Sequence, residues 1–445
     1  MSSAESNSIH VAIIGGGITG VILALGLQKR GVNFTLYERA PAFTEIGAGI
    51  GFSPNAERAL KVIDPEVYRV YKQVAPTTNV EEYFQWVDGY RTNEVAAKLF
   101  IGVDAFQGGR RSDFVDAWSK LISASKVKFD KEASSIVHKD DGRVSIRFKD
   151  GSVEEADVVI GCDGINSRVR QLILGEANPA SYPSYTNKYC FRALVPMEKA
   201  REVLGEERTI GGDESLNRFM YIGPNAHYIT YPVAKGQFMN VLLVLSDPNP
   251  WHTEDGKHTT VGSKPEALKA FANWHPRVKG MADMLPDQLQ KWAIFDMFDN
   301  PAPYYYRGSV AVAGDAAHAA GPHLGSGAGF GIEDALVLAT LLEAVNARLE
   351  GLSQKARVEL CHAALIAYNN VRYDRTQWLV GATREACALF HWQDEEVGDD
   401  IEIFLSKMSE RFHKIWDNDI DEMVKVALGE FEPVLGARPG AAFGR

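Results

Sequence analysis

The chain has 445 residues, 45% of them hydrophobic and 24% charged, and a formal net charge of −11 at pH 7. This length exceeds what a single hydrophobic core usually serves, so two domains or one elaborated α/β domain are expected. The acidic balance argues against nucleic acid and anionic membranes as partners, because both attract basic surfaces.

Apolar periodicity predicts alternating strands and helices in the first 160 residues. The first of these segments, residues 9–37, is predicted to form a β-α-β unit. The predicted strands are 9–14, 33–37, 143–149 and 156–160, and the predicted helices are 18–30, 55–63 and 114–124.

Gly15, Gly17 and Gly20 form a G-x-G-x-x-G pattern between the first predicted strand and the first predicted helix. These glycines allow a tight turn, close approach of a pyrophosphate to the backbone, and packing of the helix on the strand. The phosphates would meet unpaired N–H groups at the positive end of a helix dipole. Glu38 ends the second strand, where its carboxylate can accept from the hydroxyls of an unphosphorylated ribose. The pattern indicates a dinucleotide and leaves NAD and FAD both open.

The residue types and their pattern change between residues 185 and 295. Short aromatic and β-branched runs, such as KYCFRALV and HYITYPV, alternate with turn residues, which favours an antiparallel sheet. A buried strand is predicted again at 309–313, followed by a long amphipathic helix at 328–349 and a mostly helical, polar region from 355 onward. The predicted architecture is an α/β nucleotide-binding domain interrupted by a β-rich domain.

In the stretch AVAGDAAHAAGPHLGSGAGFGIED, residues 311–334, glycine and alanine surround Asp315, His318 and His323. So little side-chain bulk indicates that something lies against this backbone, too close for side chains. Asp315, at the end of the predicted strand, can face a sugar-like hydroxyl. The helix start near Ala328 offers N–H groups and a positive dipole end to an anion. A plain β–α turn with a buried Asp is the alternative.

The cysteines predict free thiols in a reducing compartment. They stand far apart, without the spacing of a metal site, so no metal is expected. No run approaches the roughly 18 apolar residues of a membrane helix, and the polar N-terminus lacks the apolar core of a secretory signal. A cytoplasmic protein is expected. The four cysteines are Cys162, Cys190, Cys361 and Cys387.

Three motifs in this order resemble the single-component FAD-dependent aromatic hydroxylases, over residues 9 to about 425. They are the fingerprint with Glu38, the segment GCDGINSRVR from Gly161, and the segments GDAAH and PHLGSGAG from Gly314. The resemblance implies a para-hydroxybenzoate hydroxylase-like fold: a Rossmann-like FAD-binding domain interrupted by a β-rich substrate domain, then a helical C-terminal region. The implied bounds are 1–80, 106–184 and 296–375 for the FAD-binding domain, 81–105 and 185–295 for the substrate domain, and 376–445 for the C-terminal region.

The resemblance further implies FAD as the cofactor and NADPH or NADH as a co-substrate. Asp315 would hold the ribityl chain, Arg111 would contact the FAD, and Asp163 belongs to a motif linked to both FAD and transient NAD(P)H binding. Gly325, Gly327 and Ala328 would lie along the isoalloxazine ring, and the glycines of residues 311–334 would be there to admit this flat ring. The remaining cofactor-binding residues that it implies are Gly15, Gly17, Gly20, Glu38, Arg39 and Gly51.

Within this family the chain is most similar to salicylate-hydroxylase-like enzymes and, more closely, to fungal polyketide phenol hydroxylases that dearomatise resorcinol-type aldehydes and ketones. Segments such as GAGIGFSPNAER and IGPNAHYITYPVA carry this likeness. Hydroxylation by a C4a-hydroperoxyflavin is electrophilic, so a phenolate reacts better than a phenol, whose pKa is near 10. The likeness implies that Arg192 and Tyr231 hold the phenolate. His227 and His323 are left between a role beside the flavin and a structural role.

The expected activity is NAD(P)H- and O2-dependent hydroxylation of a small phenolic substrate, with a dienone as product where the attacked carbon bears a methyl group. Decarboxylative hydroxylation of the salicylate 1-monooxygenase type is an alternative. Alternatives from other classes are an NAD-dependent dehydrogenase and a non-catalytic nucleotide-binding protein. A monomer or homodimer is expected, without nucleic-acid or membrane partners.

Overall fold

The computed structural model describes residues 8–43, 49–75, 79–209, 218–233, 236–253 and 256–436. The strands, in chain order, are β1 (His10–Ile14), β2 (Asn33–Tyr37), β3 (Gly49–Gly51), β4 (Glu81–Asp88), β5 (Val95–Val103), β6 (Gly108–Arg110), β7 (Val127–Lys128), β8 (Ala133–His138), β9 (Val144–Phe148), β10 (Val153–Ala156), β11 (Val158–Gly161), β12 (Ser184–Pro196), β13 (Arg218–Gly223), β14 (Ala226–Val233), β15 (Phe238–Ser246), β16 (Thr259–Ser263), β17 (Gln288–Asp296), β18 (Tyr306–Arg307) and β19 (Val310–Val312). The helices are α1 (Ile18–Lys29), α2 (Pro54–Ile63), α3 (Pro65–Val74), α4 (Arg111–Ser119), α5 (Arg168–Leu174), α6 (Met197–Leu204), α7 (Lys264–Ala270), α8 (Pro276–Asp283), α9 (Asp315–His318), α10 (Gly327–Asn346), α11 (Gln354–Phe390), α12 (Ile401–Trp416) and α13 (Ile420–Gly436).

A six-stranded sheet in the order β18-β19-β11-β1-β2-β7 forms the nucleotide-binding part. Strands β1, β2, β11 and β19 run parallel, and the inner residues of β1 are fully buried. An apolar run of this kind is typical of a strand covered on both faces. Because the strands are parallel, the fingerprint after β1, the motif after β11 and the turn after β19 meet at one edge of the sheet.

Two predicted elements in this part need correction. The strand predicted at 156–160 is β11, which begins at Val158 and joins β1, whereas Ala156 ends β10, which pairs with β9 in a separate three-stranded sheet. The helix predicted at 114–124 is α4, which begins at Arg111 and ends at Ser119. The backbone N–H of Leu121 bonds to the carbonyl of Trp118, only three residues back, so the apolar spacing continues through a tight turn rather than a helix.

An eight-stranded sheet in the order β16-β17-β12-β15-β14-β13-β4-β5 forms the second part. It is antiparallel except where β13 runs parallel to β4. One face, with Phe191, Leu243 and Tyr228, packs on the short helices α6, α7 and α8 and forms a separate core. The opposite face, with Arg192 and Tyr231, turns toward the nucleotide-binding part and the C-terminal helices.

The C-terminal region is helical, but it is not mainly polar. Helix α11 has 37 residues, and about half of them are buried, including Leu365 and Tyr368 in the core of the nucleotide-binding part and Arg372 beside α10. The boundary predicted between residues 375 and 376 falls inside this helix, which continues without a break. One polar residue of this helix, Arg372, is buried because it pairs with Glu333 and Asp334, so its presence in the sequence does not mark an exposed position.

All four cysteines are buried free thiols. Among the described helices, none combines the length and apolar character needed to cross a bilayer.

Candidate active site

The glycine fingerprint forms a close-packed turn at the end of β1. Gly15 has φ +109°, and a Cβ there would lie 2.4 Å from the carbonyl oxygen of Cys162. A Cβ on Gly20 would lie 2.0 Å from the carbonyl oxygen of Gly15. Helix α1 begins after Gly17 with no side-chain cap and no acidic residue in its first turn. Its first N–H groups are therefore available to an anion, as the cradle of a pyrophosphate requires.

Glu38 lies beside this turn. Its Oε2 accepts from the N–H of Gly16 at 2.6 Å, and its Oε1 accepts from the N–H of Ala40 at 2.8 Å. The half-buried carboxylate is thus held at the end of β2, next to the opening of the turn, while the following Arg39 is exposed. This placement suits a ribose contact, because a carboxylate oxygen can accept more than one hydrogen bond.

The motif after β11 is held by its own residues. Asp163 accepts from the Ser167 hydroxyl at 2.5 Å and from the N–H of Val169 at 3.0 Å, and burial raises the pKa of Asp163. Arg170 is fully buried and donates from Nη1 to the carbonyls of Ala316 and Ala317 at 3.2 and 2.6 Å. Arg170, which the sequence reasoning missed, therefore ties this motif to the turn that carries Asp315.

Asp315 begins the short helix α9 directly after β19. Its side chain is exposed and makes no hydrogen bond to any part of the chain that the structure describes. A Cβ on Gly327 would lie 3.9 Å from Asp315 Oδ1, so the carboxylate stands beside the start of α10. Helix α10 has neither a side-chain cap nor an acidic residue in its first turn. An unpaired carboxylate beside open helix N–H groups suits a ligand that carries both hydroxyls and partial negative charge.

A buried ion-pair network supports this turn. Asp334 Oδ2 accepts from the N–H of Gly314 at 2.9 Å and pairs with His318 Nε2 at 2.6 Å. Arg372 donates from Nε to Asp334 Oδ1 at 2.7 Å and from Nη1 to Glu333 Oε2 at 2.6 Å, and these three side chains are completely buried. Asp334 thus determines the position of the Asp315 turn, although the sequence reasoning assigned it no role.

The glycines of residues 311–334 serve two purposes. A Cβ on Gly314 or Gly331 would lie 2.4 or 2.3 Å from the Thr19 hydroxyl, so these two let α10 and the turn pack on α1. The interpretation that all these glycines admit a flat ring is therefore wrong for this pair. Gly325 has a left-handed φ of +61° and, with Gly327 and Ala328, lines the start of α10. This second group keeps the strip beside Asp315 free of bulk.

Phe106 is a further residue that the sequence reasoning did not find. A Cβ on Gly51 would lie 2.7 Å from its ring, and one on Gly325 would lie 2.9 Å from it. Its φ is +58°, a strained value for an aromatic residue, and its carbonyl accepts from Arg218 Nη2 at 2.6 Å. The ring of Phe106 therefore lies between the two glycine segments expected to contact the flavin. Arg111 starts α4 just beyond β6, the strand that pairs with β3.

Arg192 and Tyr231 lie on the same face of the large sheet. Arg192 on β12 is opposite Leu242 on β15, which is opposite Ile229 on β14. Tyr231 is two residues beyond Ile229 and therefore shares its face. Arg192 is exposed and makes no hydrogen bond or ion pair with any described residue. Its charge nevertheless acts on Tyr231.

The Tyr231 side chain reaches the nucleotide-binding part. A Cβ on Gly49 would lie 2.5 Å from its hydroxyl oxygen, so β3 passes directly against the ring. Burial raises the pKa of Tyr231, and the nearby charges of Arg192 and Arg218 only partly oppose this effect. Arg218 pairs with the buried Glu82 at 2.7 Å. Of the two arginines near Tyr231, Arg192 is the one whose guanidinium is available to a ligand.

The open N-termini of α1 and α10, the tight Gly15 turn and the unpaired Asp315 together fit FAD, and the fold and site define the class as flavoprotein monooxygenases. A family model described as FAD binding domain matches residues 8–358. The chain belongs to this family of FAD-dependent monooxygenases. The match extends far beyond the N-terminal fingerprint, which sets aside the NAD-dependent dehydrogenase alternative.

Individual relatives agree with this assignment. The FAD-dependent monooxygenase pigN of Monascus ruber is 46% identical over 428 residues, covering 95% of this chain and 96% of that protein. The salicylate hydroxylase asL1 of Sarocladium schorii is 36% identical, covering 97% of this chain and 93% of that protein. A solved salicylate hydroxylase substrate complex matches with a TM-score of 0.81 at 28% identity, covering 98% of this chain and 100% of that chain. The predicted fold class, enzyme class and FAD cofactor are confirmed.

Replacing Asp315 by alanine should weaken FAD binding about 10- to 100-fold, the range expected when a hydrogen bond to a charged group is lost. The dissociation constant is measured by flavin fluorescence during titration of the apoprotein. Asp116→Ala is the matched control, because Asp116 is an exposed acid on α4 that pairs only with Lys120. Equal FAD affinity in the two variants would contradict the role given to Asp315.

Proposed function

We propose that this enzyme uses NADPH or NADH and O2 to hydroxylate a phenol, and that the phenol is a polyketide-derived resorcinol-type aldehyde or ketone. The observation that carries the proposal is the unpaired Arg192 on the sheet face that also presents Tyr231. A strand arginine normally pairs with a surface carboxylate, and this one has no described partner. Its place in a flavoenzyme suits a substrate anion.

The register of the sheet supports a shared ligand. The strand of Tyr231 lies two strand spacings, about 10 Å, from the strand of Arg192. Tyr231 is also two residues, about 7 Å, further along its strand than the position level with Arg192. An arginine and a tyrosine side chain that converge across this span can hold one aromatic ring between them. Ile229 and Leu242 lie between the two residues and supply an apolar floor. Such a floor keeps water from the ring and strengthens the charge interaction.

The two residues perform different tasks on the substrate oxygen. The guanidinium of Arg192 favours the phenolate over the phenol, and a shift of two pKa units in the bound phenol corresponds to about 2.7 kcal/mol. Because burial raises its pKa, Tyr231 stays protonated at neutral pH and donates its hydroxyl hydrogen to the same oxygen. The phenolate directs electron density into the ring carbon that reacts. FAD, when bound, supplies the oxygen-transfer chemistry.

The product depends on the group carried by the attacked carbon. Where that carbon bears hydrogen, loss of a proton restores the aromatic ring. Where it bears a methyl group, neither a proton nor carbon dioxide can leave, and a dienone remains. Tyr231 favours this dearomatising outcome, because the resembling salicylate branch tends to have an apolar aromatic residue at this position.

Tyr231→Phe should lower the rate of hydroxylation about tenfold while FAD stays bound, because one hydrogen bond to the charged oxygen is lost. Rapid-mixing absorbance of the reduced enzyme with O2 and substrate measures this rate. Tyr228→Phe is the matched control, because Tyr228 lies on the same strand with its side chain in the separate core under the sheet. If Tyr231→Phe hydroxylates the substrate as fast as the unaltered enzyme, Tyr231 has no role in holding the substrate.

Decarboxylative hydroxylation of a salicylate is the second candidate, favoured by the structural match to a salicylate hydroxylase. One experiment separates the two. The FAD-loaded enzyme is given NADPH or NADH, O2 and a panel of methylated resorcinol-type aldehydes, their unmethylated analogues and salicylate. Gain of one oxygen atom with loss of aromatic absorbance supports the proposal. Release of carbon dioxide from salicylate, without turnover of the aldehydes, establishes the second candidate instead.

A further inference from the structure

Three buried side chains from distant parts of the chain converge on the sheet face that also carries Arg192 and Tyr231. His227 lies on β14, His323 lies in the turn Pro322–Leu324 before α10, and Cys387 lies near the end of α11. Each is at least 95% buried. One ring nitrogen of each histidine and the Cys387 sulfur lie within 4.8 Å of one another. This convergence joins the nucleotide-binding part, the large sheet and the C-terminal region.

One ring nitrogen of each of the two histidines has no hydrogen-bond partner among the described residues. His227 Nε2 and His323 Nδ1 are buried, and no described residue hydrogen-bonds to either atom. The other ring nitrogen of His227, Nδ1, lies 2.8 Å from His391 Nε2, which also lies 3.9 Å from the Cys387 sulfur. His391 Nδ1 lies 2.9 Å from the Ser246 hydroxyl. This chain of contacts holds the His227 ring in place, and with Nδ1 carrying the proton it leaves a lone pair on Nε2. Metal-binding histidines are held in the same way by an outer partner.

Burial affects the protonation of all three side chains. Burial holds the pKa of His227 well below its usual range and lowers that of His323 to about 3, so both rings are neutral at neutral pH. Burial raises the pKa of the Cys387 thiol to about 12. The thiol proton must therefore leave when the sulfur coordinates, and binding releases one proton per site.

We propose that His227, His323 and Cys387 form a binding site for a soft d10 cation, with Cu⁺ favoured over Zn²⁺. Two imidazoles and one thiolate are ligands that both ions accept. The charge of the bound ion, together with the charges around the site, distinguishes Cu⁺ from Zn²⁺. Lys188 on β12 lies on the same face of the sheet, opposite Ser246 on β15, so a basic side chain borders the site.

A monovalent ion with one thiolate leaves the donor set neutral, whereas Zn²⁺ would leave a buried positive charge beside Lys188. An isolated buried charge is unfavourable, and a second cation nearby makes it more so. His227 lies four residues before Tyr231 on the same strand, about 13 Å along it. The metal site is therefore distinct from the phenolate anchor, and its occupancy does not depend on the proposed substrate.

The full-length FAD-loaded enzyme, first stripped of metal, is titrated with Cu⁺ under anaerobic conditions against a chromogenic Cu⁺ chelator. Zn²⁺ is titrated in parallel against its own chelator. The expected result is one Cu⁺ retained per chain, with Zn²⁺ held more weakly. Cys387→Ser should weaken Cu⁺ binding by about 100-fold or more, and Ser246→Ala by about 10- to 100-fold, because Ser246 acts through His391.

Cys190→Ser is the matched control, because Cys190 is another buried thiol on the same face of the sheet and should not affect binding. Flavin absorbance and thermal unfolding show whether each variant is folded. If Cys387→Ser does not fold, His323→Asn is tested in its place. The proposed site is wrong if the enzyme retains no Cu⁺ against the chelator, or if Cys387→Ser retains as much Cu⁺ as the unaltered enzyme. Retention of Zn²⁺ as tight as that of Cu⁺ overturns the choice of a monovalent ion.

Discussion

Arg192→Met should lower the hydroxylation rate at neutral pH by about 100-fold, while the enzyme still binds FAD. The reason is the loss of the cation that holds the substrate oxygen as a phenolate, for which a shift of two pKa units corresponds to about this factor. Methionine keeps much of the side-chain length but removes the charge. Single-turnover mixing of the reduced variant with O2 and substrate measures the rate, and flavin absorbance measures cofactor content.

The pH dependence of the same variant gives an independent test. Without the guanidinium, the bound phenol returns toward its usual pKa near 10. Hydroxylation by Arg192→Met should therefore still increase between pH 8 and pH 10, whereas that of the unaltered enzyme, whose bound phenol titrates about two units lower, should level off above about pH 8. Arg192→Lys keeps a positive charge and should retain a larger part of the rate. A flat profile in Arg192→Met, at the unaltered rate, would contradict the role of Arg192.

Arg372→Met should destabilise the folded enzyme by about 3–5 kcal/mol, the largest stability change expected for a single substitution here. Arg372, Glu333 and Asp334 have no exposed side-chain surface, so removal of the arginine leaves buried carboxylates without their main partner. Urea unfolding followed by circular dichroism measures the loss. The FAD affinity should fall as well, because Asp334 positions the Gly314 N–H beside Asp315.

Two comparisons identify uncompensated charge as the cause. Arg375→Met removes a second, partly exposed partner of Glu333 and should cost less. Combining Arg372→Met with Glu333→Gln and Asp334→Asn removes the unpaired charges and should recover part of the stability. If the triple variant is no more stable than Arg372→Met, lost packing rather than buried charge explains the effect.

The network also predicts a pH dependence of stability. Burial by itself would raise the pKa of Asp334, but the neighbouring His318 and Arg372 outweigh it and the net pKa lies below the usual value. A carboxylate with a lowered pKa contributes stability that is fully present above the unfolded pKa, about 4, and is lost as the pH falls below it. The unaltered enzyme should therefore lose stability below about pH 4 more steeply than the triple variant.

The nucleotide-binding part was predictable because its signals are local. Gly15, Gly17 and Gly20 lie within six residues, and their roles follow from the turn and helix that they themselves form. The inserted sheet was also predictable in kind, since alternation of aromatic and β-branched residues is a property of each strand. The strand predicted at 156–160 was inaccurate at its start, because β10 ends at Ala156 and β11, which belongs to a different sheet, begins at Val158. Strand pairing, which the local sequence pattern does not show, decides this boundary.

By itself the sequence determined the class of protein: the order of strand, glycine turn and helix, the cofactor type and the α/β frame with its β-rich insertion. Only the tertiary structure decided which distant side chains meet. Asp334 and Arg372 are 38 residues apart, and His227 and His391 are 164 residues apart, yet each pair is in hydrogen-bond contact. Such contacts depend on strand register and helix packing over the whole chain. No local spacing of residues encodes them, which is why the cysteines showed no metal pattern in sequence while Cys387 lies beside two histidines in the fold.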